Sequence, residues 1–437
     1  MLARCLDNVN AELYEYQKRG VAFMLRRRWV LLGDEQGLGK TLQAIALIAG
    51  TRSRAIVICP AMLRQTWLNE IRKFTTLIAE PYSAASAARL GSGVDVLVAS
   101  YALISKLSLN TEADAVVIDE CQYIKDFDAK RTVRVHEYIF QTMPKYVVAL
   151  SGTPIKNKMV EFYSILRLLS YCPDELNGKP IREQSSYAFG TKFSHPVDRL
   201  INIRRKNGAG ATIRKTEFEG YRNLETLRTY LKGKYMRRLA KDQLDLPPVT
   251  DKWVEVDVDT SPELEEAWND VAGGVVATKA HVTKAKVASA AAKADSTIAY
   301  VKDLIEADEQ VVVFSDHREP VRQIALGLRR YVPVGVLRGG DAQGKRDQNI
   351  RDFQSGRIRV LCCTIGAAST GITLTAGRHM VFNDLCWVPA DVDQARKRIH
   401  RIGQGRPCVI HHIVAAGIDN DITRALVRKA ELLKAVL

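Results

Sequence analysis

The strongest constraint on the fold is a series of short apolar runs, rich in β-branched residues, that recur in two separate groups. The first group lies at 55–60, 94–100, 114–120 and 145–151. The second group lies at 310–316, 335–340, 359–364, 379–384 and 408–415. Because these runs are apolar on both faces and alternate with helical patterns, they are typical of buried parallel strands. The sequence therefore predicts an α/β protein with two parallel-sheet lobes.

The region between the two groups, from about residue 165 to residue 295, has a different pattern. Its apolar residues have helical spacing, which predicts helical insertions between the lobes. Pro247–Pro248 is expected to end the first helical portion. A basic stretch interrupted by the glycines of KNGAG predicts an exposed loop. The basic residues of that stretch are Arg204, Arg205, Lys206, Arg214 and Lys215.

These patterns divide the chain into three predicted parts. Residues 1–168 form an N-terminal lobe, residues 169–294 the helical insertions, and residues 295–437 a second lobe with a C-terminal helix. The length of 437 residues agrees with this division. At roughly 100–200 residues per domain, a chain of this length contains two or three domains.

The charge of the chain indicates a class of partner. Lysine and arginine total 64 against 49 acidic residues, which gives a formal net charge of +15. Such an excess favours a polyanion such as nucleic acid, because neutralising phosphates releases counterions. Taken alone, the charge is equally compatible with a basic protein whose positive face is only solvated.

The cysteines and the N-terminus bear on the compartment. The eight cysteines include no CxxC pair, so buried, reduced thiols fit better than a disulfide framework or a zinc site. The first twenty residues are too polar for a signal peptide, and no apolar stretch approaches the roughly 20 residues that span a bilayer. We therefore expect a soluble, intracellular protein without a membrane partner, cytoplasmic if bacterial or viral and nuclear if eukaryotic.

The segment DEQGLGKT, Asp34–Thr41, follows the strand-like run WVLLGD and precedes a helical pattern. A glycine-rich turn at this point directs backbone N–H groups at phosphates, at a helix N-terminus that favours anions. Lys40 is expected to reach the β- and γ-phosphates, and the Thr41 hydroxyl to ligate Mg²⁺. Asp34 occupies the position where the phosphate-loop pattern has its first glycine, so the match is imperfect.

Two carboxylates, Asp119 and Glu120, end the apolar run VVIDE. The carboxyl ends of strands are where α/β sheets bind their ligands. Asp119 is suited to the Mg²⁺ shell, and Glu120 to orienting and deprotonating an attacking water. Alone, such a pair is usually a solvated strand exit; downstream of a phosphate loop it predicts a catalytic pair.

Three further elements depend on this context. Ser151–Gly152–Thr153–Pro154 ends another strand, and its small residues allow close approach to a nucleotide. Gln17, in LYEYQKRG, has an amide able to read an adenine edge by two hydrogen bonds. Arg398 and Arg401 are three residues apart, so on a helix they share one face and suit an arginine-finger role. Separately, each is more often an ordinary turn, surface residue or basic helix.

Taken in order, these elements resemble the motifs of the Swi/Snf-type ATPases in helicase superfamily two. LYEYQKRG is similar to their adenine-reading motif, DEQGLGKT to the phosphate loop and DECQ to the DEAH-like motif. SGTP and QARKRIHRIGQ (394–404) are similar to motifs III and VI. YMRRLAKDQLDLPP (235–248), together with RIHRIGQ, is similar to a signature of this group that is not general to helicases. The resemblance covers nearly the whole chain and is closest to the annealing-helicase-like branch.

The resemblance implies two RecA-like lobes of the P-loop NTPase type, with ATP and Mg²⁺ as cofactors. It also implies an ATP-dependent translocase on double-stranded DNA, bound mainly through phosphates. The implied catalytic residues are Lys40, Asp119, Glu120, Arg398 and Arg401, with Thr41 and Asp119 as Mg²⁺ ligands. The implied nucleotide contacts are Gln17, Gly37, Gly39, Lys40, Thr41, Gly371 and Gln394. The implied nucleic-acid contacts are Met62, Gln65, Ser100, Tyr101, Arg204, Arg205, Ser315, Thr364 and Thr370.

The sequence departs from the family pattern in places. Gln122 replaces the usual histidine of the DEAH-like motif and cannot titrate, and Ala-Ala-Ser-Thr stands where motif V more usually has glycine and alanine. The short insertions, without a recognisable chromatin-binding module, indicate a minimal motor, bacterial or viral in origin, rather than a chromatin remodeller.

Two other functions stay open. The first is a strand-separating helicase on DNA or RNA, which shares every ATPase motif. The second is a non-hydrolysing scaffold built on an inactive ATPase fold, which the intact Lys40, Asp119 and Glu120 disfavour. Monomeric action is expected because all candidate catalytic residues lie in one chain; a protein partner is left unidentified.

Overall fold

The structure is a computed structural model. It describes residues 1–107, 110–172, 181, 184–204, 210–258, 279–368, 371–384, 389–415 and 419. The chain divides into two compact units, and the division falls between Gln243 and Leu244. The three-part domain division stays a prediction, although both units have the α/β architecture expected of the lobes.

The first unit is built on a seven-stranded sheet in which every neighbouring pair of strands is parallel. The strands are β1 (Trp29–Leu32), β2 (Ala55–Cys59), β3 (Ala79–Pro81), β4 (Val96–Ser100), β5 (Ala115–Asp119), β6 (Tyr146–Leu150) and β9 (Tyr235–Met236). Their order is β3-β4-β2-β5-β6-β1-β9. Along β1, Trp29 and Leu31 pack into one core while Val30 and Leu32 pack into another. Burial on both faces explains why such strands read as continuous apolar runs.

Helices cover the sheet of the first unit. They are Leu2–Asp7, Glu15–Arg27, Lys40–Thr51, Arg64–Phe74, Ala84–Ala87, Lys130–Thr142, Tyr163–Leu169, Ser186–Phe193, Leu224–Leu231 and Ala240–Gln243. Short 3-10 turns lie at Ala61–Leu63, Ile104–Lys106, Cys121–Ile124 and Met159–Phe162. Helix Lys130–Thr142 buries Thr132, Val135, His136 and Ile139, the i, i+3, i+4, i+7 spacing of one helical face.

The second unit has a six-stranded parallel sheet with the order β10-β15-β14-β11-β13-β12. The strands are β10 (Val249–Glu255), β11 (Val311–Ser315), β12 (Val334–Leu337), β13 (Val360–Thr364), β14 (His379–Phe382) and β15 (Cys408–Val414). The helices are Lys279–Ala292, Ala294–Glu306, Arg318–Leu328, Gln343–Gln354, Ile365–Ala368 and Pro389–Arg396. Val312 and Phe314 of β11 face one apolar cluster, and Val311 and Val313 face the other.

The predicted fold class, two parallel-sheet α/β lobes, is confirmed, and each predicted strand run contains a strand. The prediction missed β3, β9 and β10. The first two are only three and two residues long, and most residues of β10 are exposed at a sheet edge. None of these strands has the continuous apolar pattern on which the prediction relied. No helix in the described part of the chain is long and apolar enough to cross a membrane.

One prediction about the middle region was wrong. The basic stretch expected to be an exposed loop belongs to an antiparallel hairpin of β7 (His195–Arg204) and β8 (Gly210–Glu219). Arg204 ends β7, and Arg214 and Lys215 lie within β8, so the insertion is not wholly helical. The strands contain valine, isoleucine and threonine, whose branched side chains favour extended backbone. The prediction of a loop relied on the glycines of KNGAG rather than on these branched residues.

Candidate nucleotide site

The phosphate-loop segment, Asp34–Thr41, joins β1 to helix Lys40–Thr51. Two of its glycines have positive φ, +91° at Gly37 and +70° at Gly39. A Cβ on Gly39 would also lie 2.5 Å from the Gln17 side-chain nitrogen. Glycine is therefore required by the backbone at both positions. The loop ends at the N-terminus of a 12-residue helix, where backbone N–H groups without intrahelical partners favour an anion.

Lys40 opens this helix. Its Nζ donates to the backbone carbonyls of Asp34, at 2.6 Å, and Glu35, at 3.4 Å. Burial lowers the pKa of Lys40, while the nearby charges of Glu120, Asp34 and Asp119 oppose that shift. A half-buried ammonium that donates to neutral carbonyls of its own loop is well suited to receive phosphate oxygens, which are stronger acceptors.

Asp119 and Glu120 lie at the carboxyl end of β5. The Asp119 carboxylate accepts hydrogen bonds from Trp67 Nε1, at 2.8 Å, and from the Glu120 backbone N–H, at 2.9 Å. Burial and then the charge of Glu120 raise the pKa of Asp119 to about 7. Glu120 has φ +49°, a left-handed conformation that non-glycine residues rarely adopt and that occurs preferentially at functional sites.

These residues fit a nucleotide with Mg²⁺. The buried carboxylate of Asp119 and the half-buried carboxylate of Glu120 repel one another, and a divalent cation would relieve that repulsion. Both polar atoms of the Gln36 amide, in the phosphate loop, are buried and have no hydrogen-bond partner among the described residues. Lys40, the helix N-terminus and the Thr41 hydroxyl supply donors and a ligand of the types that phosphate and Mg²⁺ require. The residue roles themselves stay predictions.

A chain of hydrogen bonds joins the DECQ and SGTP motifs. Gln122 donates through Nε2 to Glu120 Oε2 at 2.5 Å, and the Ser151 hydroxyl donates to Gln122 Oε1 at 2.7 Å. Ser151 Oγ in turn accepts from the Thr153 backbone N–H at 3.0 Å. Gln122 was noted in the sequence only as a departure from histidine; here it contacts the side chain of the candidate catalytic base. The sequence signal that could have predicted this contact is the position of Gln122, two residues after Glu120.

Gly152 brings SGTP against the phosphate loop. A Cβ at Gly152 would lie 2.7 Å from the Cγ of Gln36 and 3.3 Å from its backbone nitrogen. Gln17 also contacts the loop, since its Nε2 donates to the Leu38 carbonyl at 3.2 Å and its Oε1 accepts from the Tyr14 backbone at 3.0 Å. The amide predicted to read adenine is thus engaged with the backbone in this structure.

In the second unit, the predicted arginine pair is placed differently from expectation. Helix Pro389–Arg396 ends before Arg398 and Arg401, so the two arginines do not share a helical face. A turn nevertheless brings them together, because both guanidinium groups donate to the Ile372 carbonyl, at 3.5 and 3.3 Å. Gly371, with φ +39°, immediately precedes this carbonyl. Gln394 is buried within the same helix.

The two segments that distinguish this group from other helicases meet inside the second unit. His400 Nε2 lies 2.8 Å from the Pro247 carbonyl. The Gln404 amide donates to the carbonyls of Thr375, at 3.1 Å, and Gly377, at 3.1 Å. The contact between His400 and Pro247 therefore joins RIHRIGQ directly to LPP.

The predicted nucleic-acid contacts fall into two sets. Met62 is half-buried in the turn Ala61–Leu63, and Gln65 is exposed at the start of helix Arg64–Phe74. An open cavity of about 570 Å³ lies beside them and is lined by Pro60, Ala61, Tyr101, Ala102, Tyr123, Ala129, Lys130 and Arg131. This surface combines basic side chains with aromatic rings.

The second set is less accessible. Ser100, Tyr101, Ser315 and Thr364 are buried. Tyr101 donates to the Asp119 carbonyl at 2.7 Å, and the Ser315 hydroxyl donates to Asp384, so both groups already have partners within the fold. The backbone of Arg204 lies in β7, whereas Arg205 and Thr370 lie outside the described residues.

Comparison with known families decides the assignment. Residues 16–310 match the SNF2-related domain, and residues 296–403 match the helicase conserved C-terminal domain. The first match alone covers more than half of the chain. The chain belongs to the SNF2-related family. Because this is a family of ATPases, the chain belongs to a class of nucleotide-using enzymes. The resemblance inferred from the motifs is confirmed.

Individual relatives cover nearly all of this SNF2-related chain. It is 27% identical to the "DNA annealing helicase and endonuclease ZRANB3" of Mus musculus, over 99% of this chain and 41% of that protein. It is 28% identical to the "SWI/SNF-related matrix-associated actin-dependent regulator of chromatin subfamily A-like protein 1" of Bos taurus, over 98% of this chain and 45% of that protein. The chain thus spans less than half the length of these curated relatives.

Among solved structures, the "Sulfolobus solfataricus SWI2/SNF2 ATPase core in complex with dsDNA" is 25% identical to this chain. The similarity covers 98% of this chain and 94% of that one, with a TM-score of 0.46.

Proposed function

We propose that this SNF2-related chain is an ATP-dependent double-stranded DNA translocase of the Swi/Snf type. It hydrolyses ATP to move along duplex DNA and thereby remodels DNA structures or displaces bound proteins. The observation that carries the proposal is the cluster of Lys40, Asp119 and Glu120 at one sheet edge, with Gln122 orienting Glu120.

ATP with Mg²⁺ would supply the phosphoryl group to be transferred and the charge compensation for it. Lys40 would bind the phosphates, while Thr41 and Asp119 would ligate the metal. The Glu120 carboxylate would orient the attacking water and accept its proton, and Gln122 would restrict the rotation of that carboxylate. Arg398 and Arg401 would supply positive charge to the transition state; arginine fingers contribute roughly 10³–10⁵-fold in other enzymes.

DNA would be bound without reading its sequence, through phosphates. The net charge of +15 supports a polyanionic partner, and a relative is named as a DNA annealing helicase. Met62 and Gln65, beside the cavity that includes Lys130 and Arg131, are one proposed contact surface. The β7–β8 hairpin is another, because Arg214 and Lys215 are exposed on it and the sequence from 199 to 216 contains no acidic residue. We further propose that the chain acts as a monomer.

The test is ATP turnover with Mg²⁺ under four conditions: no nucleic acid, single-stranded DNA, duplex DNA and duplex RNA. Lys40→Ala is the blank. Stimulation chiefly by duplex DNA is the expected result. Stronger stimulation by single strands or by RNA would instead support a strand-separating helicase. Absence of turnover under all four conditions would contradict the ATPase proposal for this chain.

A second measurement addresses movement. Displacement of a triplex-forming strand from duplex DNA reports translocation without strand separation. ATP-dependent displacement by the wild type, absent from Lys40→Ala, is the expected result. Hydrolysis without displacement would contradict translocation while leaving the ATPase proposal intact.

A further inference from the structure

Asp34 is the residue at which the phosphate loop departs from the usual glycine, and its carboxylate is fully buried. The Arg238 guanidinium donates to both carboxylate oxygens, with Nε at 2.8 Å from Oδ1 and Nη2 bonded to Oδ2. The Gln43 amide also donates to Oδ2, at 3.1 Å. Burial of a charged carboxylate is tolerated here because a bidentate, charge-assisted pair compensates for the lost hydration.

Besides Asp34 of the phosphate loop, Arg238 contacts the two helices that flank this loop in the candidate nucleotide site. Its Nη1 donates to the carbonyl of Tyr16, in helix Glu15–Arg27, which also contains Gln17. Its Nη2 donates to Gln43 Oε1, in helix Lys40–Thr51, at 2.9 Å. All three guanidinium nitrogens therefore have protein partners. Four of the five N–H groups of the guanidinium are engaged in these bonds, so Arg238 connects the phosphate loop to two helices through contacts with the protein.

The backbone around Arg238 lies alongside the start of the phosphate loop and is hydrogen-bonded to it. β9 pairs in parallel with β1, and the Gly33 backbone N–H donates to the Met236 carbonyl at 2.7 Å. The Glu35 N–H donates to the Arg238 carbonyl at 2.9 Å, and the Glu35 carboxylate accepts from the Ala240 N–H at 2.6 Å. Residues 235–240, about 200 positions further along the chain, thus fix the first half of the loop.

Asp34 links Arg238 to Lys40 through two hydrogen-bonded groups. Its side chain is bound to Arg238, and its backbone carbonyl accepts the hydrogen bond from Lys40 Nζ. Gln43, the other partner of Asp34, also donates to the Leu38 carbonyl at 3.3 Å, the same carbonyl that accepts from Gln17. A change in the position of Asp34 therefore alters the environments of Lys40 and Gln17 together.

We propose that Arg238 is a positioning residue for ATP binding, which acts through Asp34 to set the conformation of the phosphate loop. This inference rests on the proposed ATPase function. It assigns a physical reason to the aspartate: an acidic residue at the first loop position supplies the anchor that glycine cannot supply.

The test compares four single variants of the full chain with the wild type. Arg238→Gln removes the charge, Arg238→Lys keeps the charge without the planar fork, and Asp34→Asn removes the charge of the partner. Lys241→Gln is the matched control, because Lys241 is exposed three residues away and its change removes the same charge. For each protein we would measure KM for ATP and kcat with duplex DNA, the Kd of a fluorescent ATP analogue, and Tm.

Arg238→Gln and Asp34→Asn are each expected to raise KM for ATP and the analogue Kd by roughly tenfold or more, which corresponds to about 1.4 kcal/mol. Arg238→Lys is expected to fall between these variants and the wild type, because an ammonium cannot reproduce the bidentate contact. The double variant Asp34→Asn with Arg238→Gln is expected to be no worse than the poorer single variant, since both changes remove one shared interaction. Lys241→Gln is expected to match the wild type.

A purely structural role has a different signature. It would lower Tm and the fraction of active protein but leave KM and the analogue Kd of the remaining folded protein unchanged, and that result would overturn the proposal. The proposal would also be overturned if the effects of Asp34→Asn and Arg238→Gln on KM for ATP were additive in the double variant.

The analogue titration separates this inference from the proposed function. A wild-type chain that binds the analogue but never hydrolyses ATP would refute the ATPase proposal, while weaker binding by Arg238→Gln would still support positioning. A wild-type chain that does not bind the analogue would refute both.

Discussion

The two sheets can be compared at the edge where their strands end. In the first unit, this edge has Lys40, whose pKa is lowered by burial, and Asp119, whose pKa is raised by burial and by Glu120. Beside them, the polar atoms of the Gln36 amide are buried without a hydrogen-bond partner in the part of the chain that the structure describes. The charges of Lys40, Asp119 and Glu120 offset one another only in part, because burial still dominates both pKa shifts.

At the corresponding edge of the second unit, several polar groups of the described residues are paired with one another. Thr297 donates to Asn383 Oδ1 at 2.7 Å, and Lys286 Nζ donates to Asp316 Oδ2 at 2.7 Å. Asp384 accepts from the Ser315 hydroxyl and from the Asp316 backbone N–H. One architecture thus supports two uses of buried polar residues. Groups with perturbed pKa values or without partners indicate where a ligand binds, whereas paired groups stabilise the fold.

The largest expected effect comes from replacing one lysine in each unit, Lys40 in the first and Lys286 in the second. Lys40→Ala should lower ATP turnover by roughly 10²–10³-fold or more, the usual cost of losing a group that stabilises transition-state charge. It should not lower Tm, because it removes a cation whose ionisation is disfavoured by burial. Lys286→Ala should do the reverse, lowering Tm by leaving Asp316 without its partner. Steady-state turnover and thermal unfolding would measure both effects, and normal turnover by Lys40→Ala would contradict a role of Lys40 in ATP hydrolysis.

Removing the Thr297 hydroxyl, in the second unit, should lower the stability of the protein without affecting ATP binding. Thr297→Val leaves the buried Asn383 amide oxygen without its donor, and an unsatisfied buried group costs about 1–3 kcal/mol. Denaturant unfolding should show this loss, with KM for ATP unchanged within about twofold of wild type. A large rise in KM would mean that this edge also serves nucleotide binding.

Substitutions of Gln122 would test whether the hydrogen-bond chain of the first unit contributes to catalysis. Gln122→Ala frees the Glu120 carboxylate to rotate, so kcat should fall by roughly tenfold while KM changes little. Gln122→His restores the residue usual in the family and should retain much of kcat. Equal losses of stability and of active protein, with kcat per active molecule preserved, would assign Gln122 a structural role.

The smallest expected effect concerns pH and the histidines of the second unit. His411 Nε2 lies 2.9 Å from His379 Nδ1, and burial, then the charges of His379, Lys252 and His412, lower the pKa of His411 from 6.5 to about 3. The unfolded chain therefore binds a proton below pH 6.5 that the folded chain excludes, so this contribution to stability is full above pH 6.5 and is lost as pH falls towards 3. Between pH 7 and pH 5.5 the loss should be about 1 kcal/mol.

Unfolding of wild type and His411→Gln at the two pH values would measure this contribution. The wild type should lose more stability than the variant over the interval. Parallel losses in the two proteins would place the pH sensitivity elsewhere, for example at His136 of the first unit, whose pKa is lowered to about 4, mainly by burial.

Much of the architecture and the first-unit site could be predicted from local patterns. A strand buried on both faces has a continuous apolar run, as at Val116–Ile118, so its signature is contained within a few residues. Asp119 and Glu120 follow such a run directly, and Lys40 lies in a loop of recognisable spacing. The hairpin was missed because its branched residues are mixed with charges and glycines, and β9 because two residues contain no periodicity.

Local sequence patterns were therefore sufficient to predict the pair of sheets and the candidate residues that adjoin their strands. Which distant residues contact one another depends on how the folded chain packs. Arg238 and Asp34 are 204 positions apart, and Arg398 and Arg401 converge on the Ile372 carbonyl from a turn rather than a helix. Periodicity and propensity act between near neighbours, whereas ion pairing and burial depend on the element that packs opposite, which no local pattern specifies.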